Sequence, residues 1–493
     1  LMAIVAEGKG RRVYLRPSSE HEEIATNVVP KWKPDQPCRG TFASNAQGRV
    51  YGFKTFADYF TPRQLLGLTT FCDLLTRVRE HVCEAAGAAG LSEGKRLANG
   101  GRGAEAYADA VTTYLAFAID RMAFYGSSLV GWLPKDNALG KTMPRQALAM
   151  SWDYAEGNPF GKSSGDILTA AKAVADCLDT TQPLPAAQIQ MVSAKEDVPL
   201  PPVLVSTDPP YYDNVSYADL SDFFYVWLRP SLRGIWPDLC STLLVPKSDE
   251  LIAERYRHDG QEAADNFFMS GMKEALKRII AASVEEQPHV LYYAFKQSEA
   301  QNEGVASTGW ASFLSAVIDG GLAIDGTWPM KSEGTTRAVA QGSNALASSI
   351  VLVCRKRPVG SPVITRAAFL SSLKRELPNA LKLLQAGNIA PVDLAQASIG
   401  PGMGIFSRHS KVLEADDSSM SVKTALQLIN QALDDYLSEQ ESEYDAQTRF
   451  AITWFETHGM DSSAYGDAET LAKARNVSVS GVADSGLLES KGG

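Results

Sequence analysis

The fold is decided by residues 203–217, whose sequence is VLVSTDPPYYDNVSY. Residues 203–205 form a short apolar run, which predicts a buried strand. Asp208 follows, and Pro209 and Pro210 force the strand to stop, because proline fixes φ and has no backbone N–H. The pattern therefore predicts a strand that delivers a carboxylate to its end, where open α/β sheets bind their ligands.

The chain that follows alternates between helical and strand-like segments. This alternation is typical of a wound α/β sheet, and we interpret it as the second half of a doubly wound one. The predicted helices are 219–228, 265–284 and 309–319, and the predicted strands are 289–295, 322–328 and 349–354.

A length of 493 residues suggests about three structural units. We predict a mixed, largely helical accessory region over 1–198, the α/β region over 199–360 and a helical region over 361–493. The last region ends in a helix-turn-helix pattern, which is compatible with a winged-helix-like unit or with a plain helical hairpin.

The bulk properties exclude several classes of protein. A net charge of -10 argues against binding phosphate backbones over the whole surface, so any nucleic-acid contact is expected to be local. The six cysteines form no CxxC pair, so we predict no metal site. No apolar run reaches the ~18 residues that a membrane-spanning helix needs, and we expect a cytoplasmic protein with no membrane contact.

The Asp-Pro-Pro-Tyr motif suits one kind of chemistry. The exocyclic amine of adenine or cytosine is a poor nucleophile, because its lone pair is delocalised into the ring. Two fixed acceptors can hold that amine out of conjugation, and the side chain of Asp208 and the carbonyl of Pro209 would supply them. Pro210 stiffens the turn, and Tyr211 offers a flat face for a flipped base. The alternative is a turn in which the tyrosines simply pack.

Residues 206–228 closely resemble a bacterial and archaeal family of adenine-specific DNA methylases that contain a domain of unknown function. Further matching blocks are 52–55, 60–64, 342–349 and 399–403. The resemblance implies an S-adenosyl-L-methionine-dependent DNA (adenine-N6)-methyltransferase. It also implies a Rossmann-like methyltransferase sheet, present here as its second half, with mainly α-helical flanking regions.

The resemblance adds candidate residues around the motif. Tyr212, Asn214, Tyr217 and Asn344 are candidates for binding the substrate, although Asn344 could equally cap the last strand. Thr61 and Pro62 are candidates for binding the cofactor, because a Thr-Pro helix start helps to form the cofactor pocket in related enzymes. The same two residues also fit a plain N-cap followed by proline at the first helical position.

One expected feature is missing from the sequence. A complete enzyme of this kind needs a Gly-rich turn after its first strand. The nearest candidate, Asn99–Gly103, follows a polar stretch and is predicted to be a surface loop. Together with Leu1 preceding Met2, this leads us to expect the middle and later part of such a protein, which is incomplete as an enzyme.

Other functions remain open at this stage. The chain could be a non-catalytic DNA-binding or assembly subunit, or it could apply the same chemistry to cytosine N4, RNA or a protein amide. The expected partners are DNA and other subunits of a restriction-modification or phage-defence system.

Overall fold

The computed structural model of the protein describes residues 1–39, 47–144, 147–181, 189, 191–197, 201–213, 215–284, 286–294, 308–331, 348–386, 391–442, 444–463, 465–474 and 477–489. Within these ranges no helix is both long and apolar enough to cross a membrane.

The chain divides into two compact units. The first contains residues 1–191 and 215–250, and the second contains residues 192–214 and 251–493. This division differs from the predicted boundaries near 198 and 360. Residues 215–250 pack with the first unit, whereas helices beyond residue 360 share a hydrophobic core with the sheet of the second unit.

The first unit is mainly helical. Its core buries the aromatic side chains of Tyr59, Phe223 and Trp227 together with Ile119. Its elements are β1 (Ile4–Glu7), β2 (Arg12–Leu15), α1 (Ser19–Asn27), α2 (Gln47–Val50), α3 (Pro62–Ala88), α4 (Ala104–Tyr125), β3 (Trp132–Leu133), β4 (Ala138–Leu139), α5 (Ile167–Thr180) and α6 (Tyr217–Leu232).

Helix α3 begins where the sequence predicts. Thr61 Oγ1 accepts a hydrogen bond from the backbone N–H of Gln64 at 3.3 Å, and Gln64 Oε1 accepts one from the N–H of Thr61 at 2.9 Å. This reciprocal capping box satisfies two of the N–H groups that a helix start leaves unpaired, and Pro62 needs no such partner.

The second unit is mixed α/β. Its elements are β5 (Ser206–Thr207), α7 (Gln261–Ala282), β6 (His289–Ala294), α8 (Thr308–Asp319), β7 (Leu322–Lys331), β8 (Ser348–Lys356), β9 (Val363–Thr365), α9 (Arg366–Ala386), α10 (Pro391–Ser407), β10 (Lys411–Leu413), α11 (Val422–Ser442), α12 (Ala446–His458), α13 (Tyr465–Ala474) and α14 (Val479–Asp484). Strands β6, β7 and β8 and helices α7 and α8 confirm the alternation predicted from the sequence.

Strands β5 to β8 form one mixed sheet in the order β5-β6-β8-β7. Strand β5 is parallel to β6, and β8 is antiparallel to both of its neighbours, so β6 and β7 run in the same direction. Ile350, Leu352 and Cys354 alternate along β8 and are fully buried on one face of the sheet. The main core of the unit lies on that face.

Helix α10 packs directly on the edge strand β7, although Pro401 lies inside the helix. Proline cannot donate to the carbonyl four residues earlier, which belongs to Ala397. Thr327 of β7 replaces that donor, because its Oγ1 donates to the Ala397 carbonyl at 3.0 Å. The same oxygen accepts from the N–H of Gly400 at 3.0 Å, so the Thr327 hydroxyl joins the strand to the helix by two hydrogen bonds.

Within the second unit, helices α12, α13 and α14 form a small helical group with a hydrophobic core of its own. Phe450, Ala468, Ala472, Val479 and Val482 are buried there. The helical end predicted for residues 467–488 is therefore present. Acidic side chains outnumber basic ones in this segment, and α14 has no Lys or Arg, so its composition does not favour contact with phosphates.

We predict that Gly400→Ala destabilises the second unit by about 1–3 kcal/mol or more. A Cβ at this position would lie 2.4 Å from Thr327 N and 2.9 Å from Gly326 C, and backbone atoms cannot move aside easily. The check is the midpoint of thermal or urea unfolding. Gly67→Ala in α3 is the matched control, because its Cβ meets nothing within 4 Å, and it should be neutral or stabilising by up to about 1 kcal/mol. Equal midpoints for the two variants would contradict the close approach.

Candidate functional site

The Asp-Pro-Pro-Tyr motif lies directly after β5, at the carboxyl end of that strand. The ladder of β5 covers Ser206–Thr207, and Val203 forms an isolated bridge with Ser283 farther upstream. The paired strand thus lies slightly later than the predicted 203–205. Pairing with β6 sets the bounds of β5, because Thr207 is in register with Leu291 of β6. The predicted delivery of Asp208 to a strand end is observed.

The motif forms a compact turn with one exposed carboxylate. Asp208 is exposed, whereas Pro209, Pro210 and Tyr211 are half-buried. The hydroxyl of Tyr211 donates to Oδ1 of Asp208. The Tyr211 ring meets Tyr293 of β6 edge to face, with the ring centroids 5.2 Å apart and the planes at 62°. The turn therefore presents a carboxylate and an aromatic ring that already contact each other.

Tyr212 occupies a different environment from Tyr211. Its ring is buried in the main core, and its backbone has φ of +57°, a left-handed conformation that is unusual for a bulky residue. Its hydroxyl donates to Asp265 of α7, and Gln261 Nε2 donates to the same hydroxyl at 3.3 Å. Burial, followed by the bond to Asp265, raises the pKa of Tyr212 well above its usual value, so the phenol stays protonated.

The remaining candidates are distributed as follows. Tyr217 is the first residue of α6 and is 55% exposed, and it belongs to the first unit. Asn214 and Asn344 lie outside the described residues. The candidates in the described part of the second unit are therefore the contiguous residues from Asp208 to Tyr212.

Thr61 and Pro62 line an open groove of about 300 Å³ in the first unit. Its walls combine aromatic and polar side chains: Phe53, Asp58, Phe60, Ser128, Ser151 and Tyr154. Burial raises the pKa of Asp58, but hydrogen bonds from the N–H groups of Thr55 and Lys54 outweigh it and lower the pKa. The groove thus combines flat apolar walls with an ionised carboxylate.

The lining of this groove offers contacts to part of S-adenosylmethionine. Its volume is at the small end of the range for ligand sites, about 300–1,000 Å³. Aromatic walls suit an adenine ring, and Asp58 suits an ammonium or a ribose hydroxyl. Thr61, however, already uses its hydroxyl in the capping box, and the described residues that line the groove include no Gly-rich turn.

The glycines of Asn99–Gly103 have a structural explanation. A Cβ on Gly101 would lie 2.0 Å from the Lys95 carbonyl oxygen, and one on Gly103 would lie 2.4 Å from that of Ser92. These glycines therefore allow the loop between α3 and α4 to fold back on itself. The predicted surface loop is confirmed, because most of its residues are exposed.

Sequence reasoning missed the residues that support the motif from a distance. Tyr293 contacts Tyr211, and Asp265 and Gln261 hold Tyr212. Of these residues, only Tyr293 could have been predicted from the sequence, because it lies on a predicted strand that could pair with the strand before the motif. The positions of Asp265 and Gln261 depend on how α7 packs.

Comparison with known proteins gives one partial match. A family model described as a domain of unknown function, DUF8807, matches residues 445–493, which cover α12 to α14. No curated protein and no solved structure matches the chain. The match does not reach the Asp-Pro-Pro-Tyr motif, so the chemistry of the site has to be argued from its own residues.

We predict that this polypeptide by itself binds S-adenosylmethionine weakly, because the groove at Thr61 can contact only part of the molecule. Isothermal titration should give a dissociation constant weaker than the micromolar range. Adenosine and methionine, titrated separately, provide the controls for the two ends of the cofactor. Micromolar binding of the intact cofactor would show that a complete pocket exists.

Proposed function

We propose that this chain is the base-holding part of an S-adenosylmethionine-dependent DNA amino-methyltransferase that methylates N6 of a flipped adenine. The observation that carries the proposal is the turn after β5. It combines an exposed carboxylate at a strand end, a proline carbonyl and a tyrosine ring within four consecutive residues. These are the groups that an amine on a flat base requires.

The contact between Asp208 and Tyr211 assigns different roles to the two carboxylate oxygens. Oδ1 accepts the hydroxyl of Tyr211, which restrains the rotation of the carboxylate. Oδ2 can then accept one proton of the base amine, while the carbonyl of Pro209 accepts the other. Both acceptors draw the amine nitrogen toward sp³ geometry and free its lone pair.

The cofactor, when bound, supplies an electrophilic methyl group on a sulfonium. The chain's own contribution is alignment and removal of a proton. The amine carries one proton too many after it gains the methyl group, and Asp208 Oδ2 can take that proton and release it to water. Tyr211 provides the surface that holds the base plane in place.

The arrangement of the sheet supports this proposal. Two strands with the same direction, β6 and β7, enclose one antiparallel strand, β8, and the motif lies on the parallel neighbour β5. Doubly wound α/β sheets often carry an antiparallel strand near the edge of an otherwise parallel sheet. Ligands in such sheets bind at the carboxyl ends of the parallel strands, which is where Asp208 lies.

The cofactor needs contacts beyond those of the described groove. Thr61, Pro62 and Asp58 are the residues that would hold part of it. We propose that a Gly-rich turn outside these residues supplies the rest, either in the same natural polypeptide or in a partner subunit. We also propose DNA as the substrate, the cytoplasm as the location, and a restriction-modification or phage-defence system as the setting.

Asp208→Ala should abolish methyl transfer, because the base amine loses its charged acceptor. We expect the methylated fraction to fall by about 10²-fold or more. The test expresses the natural polypeptide that contains the chain in a host without adenine methylation, and measures nucleosides by mass spectrometry. Asp259→Ala is the control, since Asp259 is exposed and has no part in the site. Methylation that survives Asp208→Ala would favour the binding-subunit alternative, and N4-methylcytosine in place of N6-methyladenine would change the substrate.

Substitutions at Tyr211 separate stacking from hydrogen bonding. Tyr211→Phe keeps the ring and loses the bond to Asp208, so we expect a moderate loss of activity, about tenfold or less. Tyr211→Ala removes the stacking surface, which is worth about 1–3 kcal/mol per base, and should lose considerably more. Single-turnover methylation with saturating DNA measures both variants. Equal activities for Phe and Ala would rule out the stacking role.

A further inference from the structure

The residue after the motif is held more firmly than the motif itself. Tyr212 is only 7% exposed, and its φ of +57° places a bulky side chain in the left-handed region. That backbone conformation is unfavourable for a residue with a Cβ. Such a conformation persists only where surrounding contacts impose it.

The contacts that impose it reach three parts of Tyr212. Its hydroxyl donates to Asp265 of α7. Its carbonyl oxygen accepts a hydrogen bond from the N–H of Ala253 at 2.9 Å. Its ring packs edge to face on Phe268, with the centroids 5.4 Å apart. The hydroxyl, the backbone carbonyl and the ring of Tyr212 are therefore each held by a contact. All of these partners belong to the second unit.

The start of α8 completes this environment. A Cβ on Gly309 would lie 3.2 Å from Cδ1 and 3.3 Å from Cγ of the Tyr212 ring. These distances are shorter than ordinary van der Waals contacts, so the ring fits tightly against the bare backbone of Gly309. The space leaves Tyr212 little freedom to change its rotamer.

We propose that Tyr212 and Asp265 form a positioning pair that sets the direction of the catalytic turn, and that Tyr212 does not bind the substrate. This inference rests on the proposed function of Asp208 and Tyr211. If the hydroxyl bond is lost, Tyr212 can relax toward negative φ and rotate the peptide that joins it to Tyr211. The Tyr211 ring and the carboxylate that it contacts then change direction together.

Two features explain why the pair acts through geometry. The buried ring and hydroxyl of Tyr212 are committed to protein partners, so a base cannot contact them. Asp265 lies on α7, 53 residues along the chain, and α7 is a long helix whose side chains Phe268, Met272 and Leu276 are anchored in the core. The pair thus connects the turn to a rigid element.

The experiment compares Tyr212→Phe, Asp265→Ala and Asp265→Asn in the natural polypeptide that contains the chain. Tyr212→Phe and Asp265→Ala should each lower kcat for methyl transfer by about tenfold or more, because small misplacements of reacting groups have large effects. The KM for DNA and the cofactor affinity should change by less than about twofold, as expected when geometry and not binding is lost. Asp265→Asn should recover most of kcat, because its amide oxygen can accept from the phenol.

Tyr225→Phe is the matched control for a loss of stability. The hydroxyl of Tyr225 donates to the Thr242 carbonyl at 3.0 Å, in the first unit, so this variant removes a tyrosine hydroxyl bond that involves neither α7 nor the turn. It should keep kcat even if its thermal midpoint falls as much as that of Tyr212→Phe. Unchanged kcat in Tyr212→Phe, or parallel losses of kcat and stability in both variants, would overturn the positioning role.

Amide hydrogen exchange separates this inference from the proposed function. Tyr212→Phe should speed exchange at Ala253 and at residues 211–213 by about tenfold or more, while residues 268–276 of α7 stay protected. Unchanged exchange at Ala253 would overturn the inference whatever the activity. If exchange accelerates but the wild type shows no methylation that depends on Asp208, the proposed function fails and the positioning pair stands as a constraint on the turn.

Discussion

Two adjacent prolines place the central constraint on this structure. Pro209 and Pro210 have no backbone N–H, so the chain cannot continue the ladder of β5 beyond Thr207. A turn that lacks these donors cannot be held by strand pairing alone. It is held by the hydroxyl of Tyr211 on Asp208, and by the anchoring of Tyr212 in the core. Because of the two prolines, side-chain contacts and not strand hydrogen bonds fix the conformation of the turn.

The same principle operates at the other side of the sheet. Pro401 leaves the carbonyl of Ala397 without its helical donor, and Thr327 supplies the missing hydrogen bond. Here the hydrogen bond that the proline cannot donate comes from a residue 70 positions away in sequence. At Pro401 the helix is therefore completed by a tertiary contact.

These two cases also explain how far sequence reasoning could go. The N-cap at Thr61 and the strands β6 to β8 follow from local patterns, and they were predicted closely. Helix α10 lies in the region predicted to be helical, but its bounds were not predicted, because glycines and a proline at residues 400–402 indicate a break unless Thr327 is known to compensate. For the same reason the motif was visible, while Asp265, which fixes the residue after it, was not. The bonds that matter join residues 53 and 70 positions apart.

The close contact between α10 and β7 has a consequence for assembly. A bare edge strand is a template on which another strand can pair, and proteins commonly block such edges. Here the helix blocks one edge, because the N–H of Ile324 donates to Ser407 Oγ of α10 at 2.8 Å, a group that could otherwise bond to an incoming strand. At the other end of the sheet, β5 pairs with β6 alone among the described strands. Among the described strands, the edge next to Asp208 is therefore the one that α10 leaves open to a further strand.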